Sequence, residues 1–286
     1  MLNLTPKFAM KKNYSLLIII VLLLISACNS QTGTQQTSEY SFKNPDRIWF
    51  LPKKLREISG ITWLNDTTLI CIQDEKANLY KFNLATNEIS DKFDFGKDGD
   101  YEAITKVNET IYALRSNGNL HAIYNAFSSE INIEKFKTPL TKENDTESLC
   151  FLAAQNALLI GCKNLPLQPD NRTELRRAFY IYSLTDSVFI EEPYFWLSAA
   201  ATNCAKFSPT DMAVNPKNGN IYVLSSSPNC VAVLNTKGEV IYAEMLTHKN
   251  FVVPEGICFS PNGTLYIASE GKKQEATLLE FKMNYE

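Results

Sequence analysis

One short pattern recurs along this chain and constrains its fold more than any other feature. Pro254-Glu255-Gly256-Ile257-Cys258-Phe259 is its fullest form, and Glu147-Ser148-Leu149-Cys150-Phe151 follows it closely. Glu102-Ala103-Ile104, Thr210-Asp211-Met212-Ala213-Val214 and Ser59-Gly60-Ile61-Thr62-Trp63 are looser copies. Each places a polar residue just ahead of an apolar strand. Positions 59, 102, 147, 210 and 255 are separated by 43, 45, 63 and 45 residues. A strand-rich repeat of about 40–50 residues marks a β-propeller blade, a sheet that buries its faces only against its neighbours. Five copies predict an all-β, five-bladed propeller. The third unit is enlarged by an insertion from Asn164 to about Arg177, whose Pro166, Pro169, Asp170 and Asn171 are loop formers.

The segments between the repeats read as further strands. Leu69-Ile70-Cys71-Ile72, Ile111-Tyr112-Ala113-Leu114, Ile221-Tyr222-Val223-Leu224 and Leu265-Tyr266-Ile267-Ala268 follow the key strands of units one, two, four and five. Asn117-Gly118, Asn218-Gly219 and Asn262-Gly263 are hairpin signals, since both central residues of the tightest turns need positive φ. The fifth unit shows only three strands before the chain ends. Arg47-Ile48-Trp49-Phe50-Leu51 supplies a fourth from the other end and is expected to close the ring, which removes the open sheet edges.

Each key position has a polar counterpart 14 to 16 residues later, at the end of the following strand: Asp74, Ser116, Lys163, Ser225 and Glu270. In an antiparallel hairpin the start of one strand and the end of the next share one end. These pairs therefore gather on one face of the disc, near its axis. Glu102, Glu147, Glu255, Glu270 and Asp74 should converge there, with Glu75, Asp100 and Asp211 nearby and Lys163 as the main charge partner. Two readings stay open. In one the carboxylates cap backbone groups and pair with Lys163; in the other a cation relieves their mutual repulsion. Oxygen-rich, sulfur-free ligands select a hard ion, Ca²⁺ before Mg²⁺.

The N-terminus reads as a leader. Lys7, Lys11 and Lys12 precede the apolar run Leu16–Ile25 and then Ser26-Ala27-Cys28, the layout of a secretory signal over residues 1–27. Ile25-Ser26-Ala27-Cys28 resembles a bacterial lipobox, which makes Cys28 the expected lipidated N-terminus. Residues 28–39 are polar and read as a flexible tether to a propeller domain over 40–286. That places the protein in a bacterial cell envelope, periplasmic or surface-facing and anchored to the membrane by lipid.

Six cysteines remain, with no CxxC pair to suggest zinc. Cys71, Cys150, Cys162 and Cys258 sit in apolar strands and read as core residues. Cys204 and Cys230 flank the fourth unit on one face and are candidates for a disulfide in an exported protein. The net charge of −3 and the lack of a basic, aromatic-interleaved stripe give no case for nucleic acid. His121 and His248 have no serine or aspartate partner at a telling position, which gives a serine hydrolase little support.

Taken in order, Glu57-Ile58-Ser59-Gly60-Ile61, Asp74-Glu75, Gly99-Asp100-Tyr101-Glu102-Ala103-Ile104, Gly161-Cys162-Lys163 and Pro254-Glu255-Gly256-Ile257 resemble the SdiA-regulated family of bacterial propellers. The resemblance spans about residues 43 to 284. It implies a five-bladed propeller distantly like NHL-repeat proteins, with a calcium site in the central region, and it brings no established activity. Pro209-Thr210-Asp211 departs from the Ser-Gly expected in the fourth blade. The expected function is a lipid-anchored calcium-binding module for an unknown small-molecule or protein ligand. The alternative is a calcium-dependent hydrolase of phosphate or lactone esters, in which the ion polarises a substrate oxygen.

Overall fold

The computed structural model describes Met1 and residues 38–284. The signal segment, Cys28 and most of the tether lie outside the described residues. The strands run in chain order from β1 (Arg47–Phe50). Blade one is β2 (Ile58–Asn65), β3 (Thr68–Gln73), β4 (Lys76–Asn83) and β5 (Glu88–Asp94). Blade two is β6 (Tyr101–Val107), β7 (Thr110–Arg115), β8 (Leu120–Tyr124) and β9 (Asn132–Phe136). Blade three is β10 (Thr146–Leu152), β11 (Ala157–Cys162), β12 (Arg176–Ser183) and β13 (Val188–Ser198). Blade four is β14 (Pro209–Val214), β15 (Ile221–Ser226), β16 (Asn229–Leu234) and β17 (Val240–Met245). Blade five combines β18 (Val253–Phe259), β19 (Leu265–Glu270) and β20 (Thr277–Phe281) with β1 from the start of the domain. The result is a five-bladed propeller of four-stranded antiparallel sheets, closed as the missing strand predicts.

Five apolar clusters hold it together, one in each gap between adjacent blades. The inner and middle strands are almost wholly buried because both faces of each sheet meet a neighbour. The outer strands are more exposed, as in β5, where only Ile89 and Phe93 are part-buried. Gly219 and Gly263 turn the β14–β15 and β18–β19 hairpins with φ of +77° and +91°, which a side chain would resist.

The segment ahead of blade one reinforces two seams. Trp49 and Leu51 are buried in the cluster between blades five and one, and the Trp49 indole donates from β1 to the Leu84 carbonyl of blade one at 2.8 Å. Tyr40 and Phe42 are buried against blades four and five. Glu39, read from sequence as the end of the tether, is instead tied down. Its carboxylate accepts hydrogen bonds from Asn215, Asn218 and Tyr222, and its carbonyl accepts from the Asn284 N–H. Polar composition alone conceals this docking, because its partners come from the far end of the chain.

The insertion of unit three is a surface excursion pinned to its own blade. Arg176 grips Asp170 through two hydrogen bonds of 2.7 and 3.0 Å and stacks over Trp196 at 4.3 Å. Cys204 and Cys230 are joined in a disulfide, their Cα atoms 6.7 Å apart, which links the entry of blade four to its own β16. Cys71, Cys150, Cys162 and Cys258 are buried thiols.

Candidate functional site

The five key positions share one backbone irregularity. Pairing along β2 skips from Ile58 to Gly60 while its partner advances by one residue, from Gln73 to Ile72. The same slip falls between Tyr101 and Ala103, Thr146 and Ser148, Pro209 and Asp211, and Pro254 and Gly256. Ser59, Glu102, Glu147, Thr210 and Glu255 are thus the extra residues of five β-bulges, one at the start of each inner strand. A bulge breaks the alternation of the strand and re-aims the side chain it carries. The repeat in the sequence is the imprint of that shared bulge.

What each bulge residue does depends on its length and charge. The Ser59 hydroxyl donates to the Tyr101 carbonyl at 2.8 Å, and the Thr210 hydroxyl to the Pro254 carbonyl at 2.7 Å. Both are buried braces to the next blade. They grip the carbonyl just ahead of the neighbouring blade's bulge, Glu102 in one case and Glu255 in the other. The three glutamates are left as the charged group. They repel one another: Glu147 and Glu255 both raise the pKa of Glu102, and Glu147 raises that of Glu255.

Burial is the larger effect at each of them. It pushes Glu102 up to about 10, with Glu147 and Asp100 adding to the shift. Glu255 rises to about 8 through burial and then Glu270. Glu147 rises to about 7 from burial, although the Lys163 ammonium donates to it at 2.6 Å and pulls the other way. Asp74 rises to about 6 through burial and then Glu57. Glu270 is raised too, by burial first, but it is only part-buried and lies near Lys272, Glu57 and Arg56. Lys163 is drawn down by burial and drawn up further by Glu147, Asp145 and Glu255, so it stays charged. Neutral carboxyls at physiological pH are the cheaper state for a crowd of acids with one ammonium.

The structure therefore brings Glu102, Glu147 and Glu255 into one electrostatic group, and links Asp74 and Glu270 to it through Glu255. It does not place three of them at ligand spacing. Among the described residues no three His, Cys, Asp or Glu side chains stand close enough to hold a metal ion together. Blade four supplies its acid one residue beyond the key position. Asp211 is fully buried, its Oδ2 accepts the Ile257 N–H at 2.9 Å, and the Met212 and Leu149 N–H groups also face its carboxylate. The unit spacing pointed to Thr210. The one available signal was the carboxylate in the place where the other copies carry Gly60, Ala103, Ser148 and Gly256. Asp100 is also engaged, through a 2.5 Å hydrogen bond from Ser116.

The model of the SdiA-regulated family matches residues 51–273. The chain belongs to the SdiA-regulated family. Among curated proteins none matches it. Among solved structures, this SdiA-regulated chain is similar to a glutaminyl cyclase of Myxococcus xanthus, with 11% identity, a TM-score of 0.58, and coverage of 84% of this chain and 96% of that one. A luciferin-regenerating enzyme gives 12% identity, a TM-score of 0.52, and 84% and 95% coverage. At such identities the likeness is one of fold.

The donor set of this SdiA-regulated propeller suits the hard cation that the family resemblance implies. Every candidate ligand is a carboxylate oxygen, and one buried oxygen, Asp74 Oδ1, makes no hydrogen bond. A buried acceptor left unmatched costs about 1–3 kcal/mol, which a cation or ordered water would remove.

Proposed function

We propose that this SdiA-regulated propeller is an envelope binding module, anchored by a lipid on Cys28, whose acidic mouth takes Ca²⁺ and presents it to a small-molecule or protein ligand. The observation that carries the reading is the crowding of Glu102, Glu147 and Glu255 on inner-strand bulges, raised in pKa and offset by Lys163 alone at close range. No more than two of these three would ligate the ion directly, with water and backbone carbonyls completing its shell, while the third, Asp74 and Glu270 act as flanking charge and Lys163 as charge partner. When bound, Ca²⁺ supplies positive charge and coordination positions that a ligand's oxygen atoms can share. The chain's own part is to aim the carboxylates, exclude bulk water and give up protons. The anchor rests on Ile25-Ser26-Ala27-Cys28 after an apolar run.

Calorimetric titration tests the site. Wild type should bind one Ca²⁺ more tightly than Mg²⁺, and Glu102→Gln or Glu255→Gln should weaken binding at least about tenfold, the loss expected for a charged ligand. Absence of binding, or unchanged affinity in both variants, counts against the proposal. One observation favours hydrolysis as a second reading: Glu147, at about 7, has the pKa of a general base working near neutrality. Ester turnover that requires both Ca²⁺ and Glu147 would support it.

A further inference from the structure

The inner strands have a second end. Roughly 7 Å along them from the glutamates, two residues on at about 3.3 Å each, begins a cavity of about 390 Å³ that the strands line as far as Trp63, Lys106, Phe151, Val214 and Phe259. All five inner strands line it, and so do the turns that leave β6, β14 and β18. At its inner end it is bordered by Ile61, Ile104, Leu149, Met212 and Ile257, one from each blade, whose side chains pack into the clusters between blades. The part-buried Trp63, Phe151 and Phe259 make its apolar wall. Its surface is mixed, since Thr62, Thr105, Lys106, Asn108, Glu109 and Ser260 line it as well, and its volume falls in the about 300–1,000 Å³ range of ligand pockets.

One cation stands on the wall. The Lys106 side chain is only 20% exposed, and its ion-pair partner Glu109 is 85% exposed at a long 3.6 Å. Glu109 borders the cavity too, but at 3.6 Å and so exposed it holds the ammonium only weakly, and an anion inside the cavity, where the dielectric is lower, would pair with Lys106 more strongly. The Lys106 N–H is also fixed by the Thr62 hydroxyl at 3.2 Å, which settles the backbone from which the side chain extends.

We propose that this cavity is a second ligand site, which takes a small amphipathic carboxylate with its apolar body against Trp63, Phe151 and Phe259 and its head on Lys106. The site is separate from the acidic mouth and does not depend on Ca²⁺.

Decanoate at submicellar concentration is the probe, with 8-anilinonaphthalene-1-sulfonate as the fluorescent reporter it displaces from the full chain. One saturable reporter site, displaced by decanoate and accompanied by a change in Trp63 emission, is expected. Lys106→Gln should weaken decanoate at least about fivefold while leaving decanol unchanged. Thr105→Trp should fill the cavity and remove both ligands. Glu270→Gln, at the other mouth, should bind decanoate as wild type does. If Thr105→Trp does not fold, Trp63→Ala replaces it, with weaker binding and no emission change expected. Decanoate bound equally by wild type and Lys106→Gln, or no saturable binding at all, overturns the proposal.

Discussion

A chain beginning at Pro52 should show no cooperative unfolding transition, whereas one beginning at Ser38 should melt as a single unit. The segment between them carries Tyr40, Phe42, Trp49 and Leu51, each 3% exposed or less. Truncating a buried aromatic side chain costs about 3–5 kcal/mol and a buried leucine about 2–5, so losing three aromatics and one leucine removes about 11–20 kcal/mol, as much as the roughly 5–15 kcal/mol that holds a domain folded. The loss is also topological. Without β1 the last blade ends at β20, which leaves its strand edge unpaired and removes the Trp49 bond across the seam. Trp49→Ala alone should cost about 4 kcal/mol and lower the melting temperature by roughly 12 °C, at the 2–4 °C per kcal/mol usual for this size. Circular dichroism melts of the two truncations decide the matter, and equal melting temperatures would refute the seam.

With a chelator present, the melting temperature should be highest near pH 5 and fall steeply by pH 8. Glu102, Glu147, Glu255 and Asp74 hold their protons more tightly folded than unfolded, with pKa values of about 10, 7, 8 and 6. The stability this gives is complete below the unfolded carboxylate range and is lost as pH rises through those values. Discounted for the coupling among neighbours, the loss between pH 5 and 8 is on the order of 5 kcal/mol, or about 15 °C. Ca²⁺ at a hundred times its dissociation constant should return about 2.7 kcal/mol, because it binds the folded state alone. Glu102→Gln should flatten the fall. A melting temperature that holds steady or rises from pH 5 to 8 in chelator would mean that these acids are not crowded as described.

The propeller was legible because its blades obey one backbone rule. A bulge at the head of every inner strand forces a polar residue to recur at a fixed distance before an apolar run. The closing strand was legible for a similar reason: the fifth unit was short of one, and Trp49 and its neighbours read as a strand with no other partner. The acidic mouth was half legible. Glu102, Glu147 and Glu255 fall at the key position, but the same spacing weighted Thr210 above Asp211, and only the fold shows Thr210 spent on a backbone brace. Glu39 was misplaced because the asparagines that hold it lie about 180 residues away. The cavity at the other mouth left no motif, since its wall is built from ordinary strand residues that become neighbours only when five blades close.

Proton release is the most direct test of the acidic mouth. Ca²⁺ added to unbuffered protein at pH 7 should displace protons from carboxyls that are neutral only because no cation holds them. A pH-stat should then record between one and three protons per ion bound, fewer in Glu102→Gln and in Glu255→Gln. Binding without proton release, or release unchanged in both variants, would place the ion elsewhere and contradict the account.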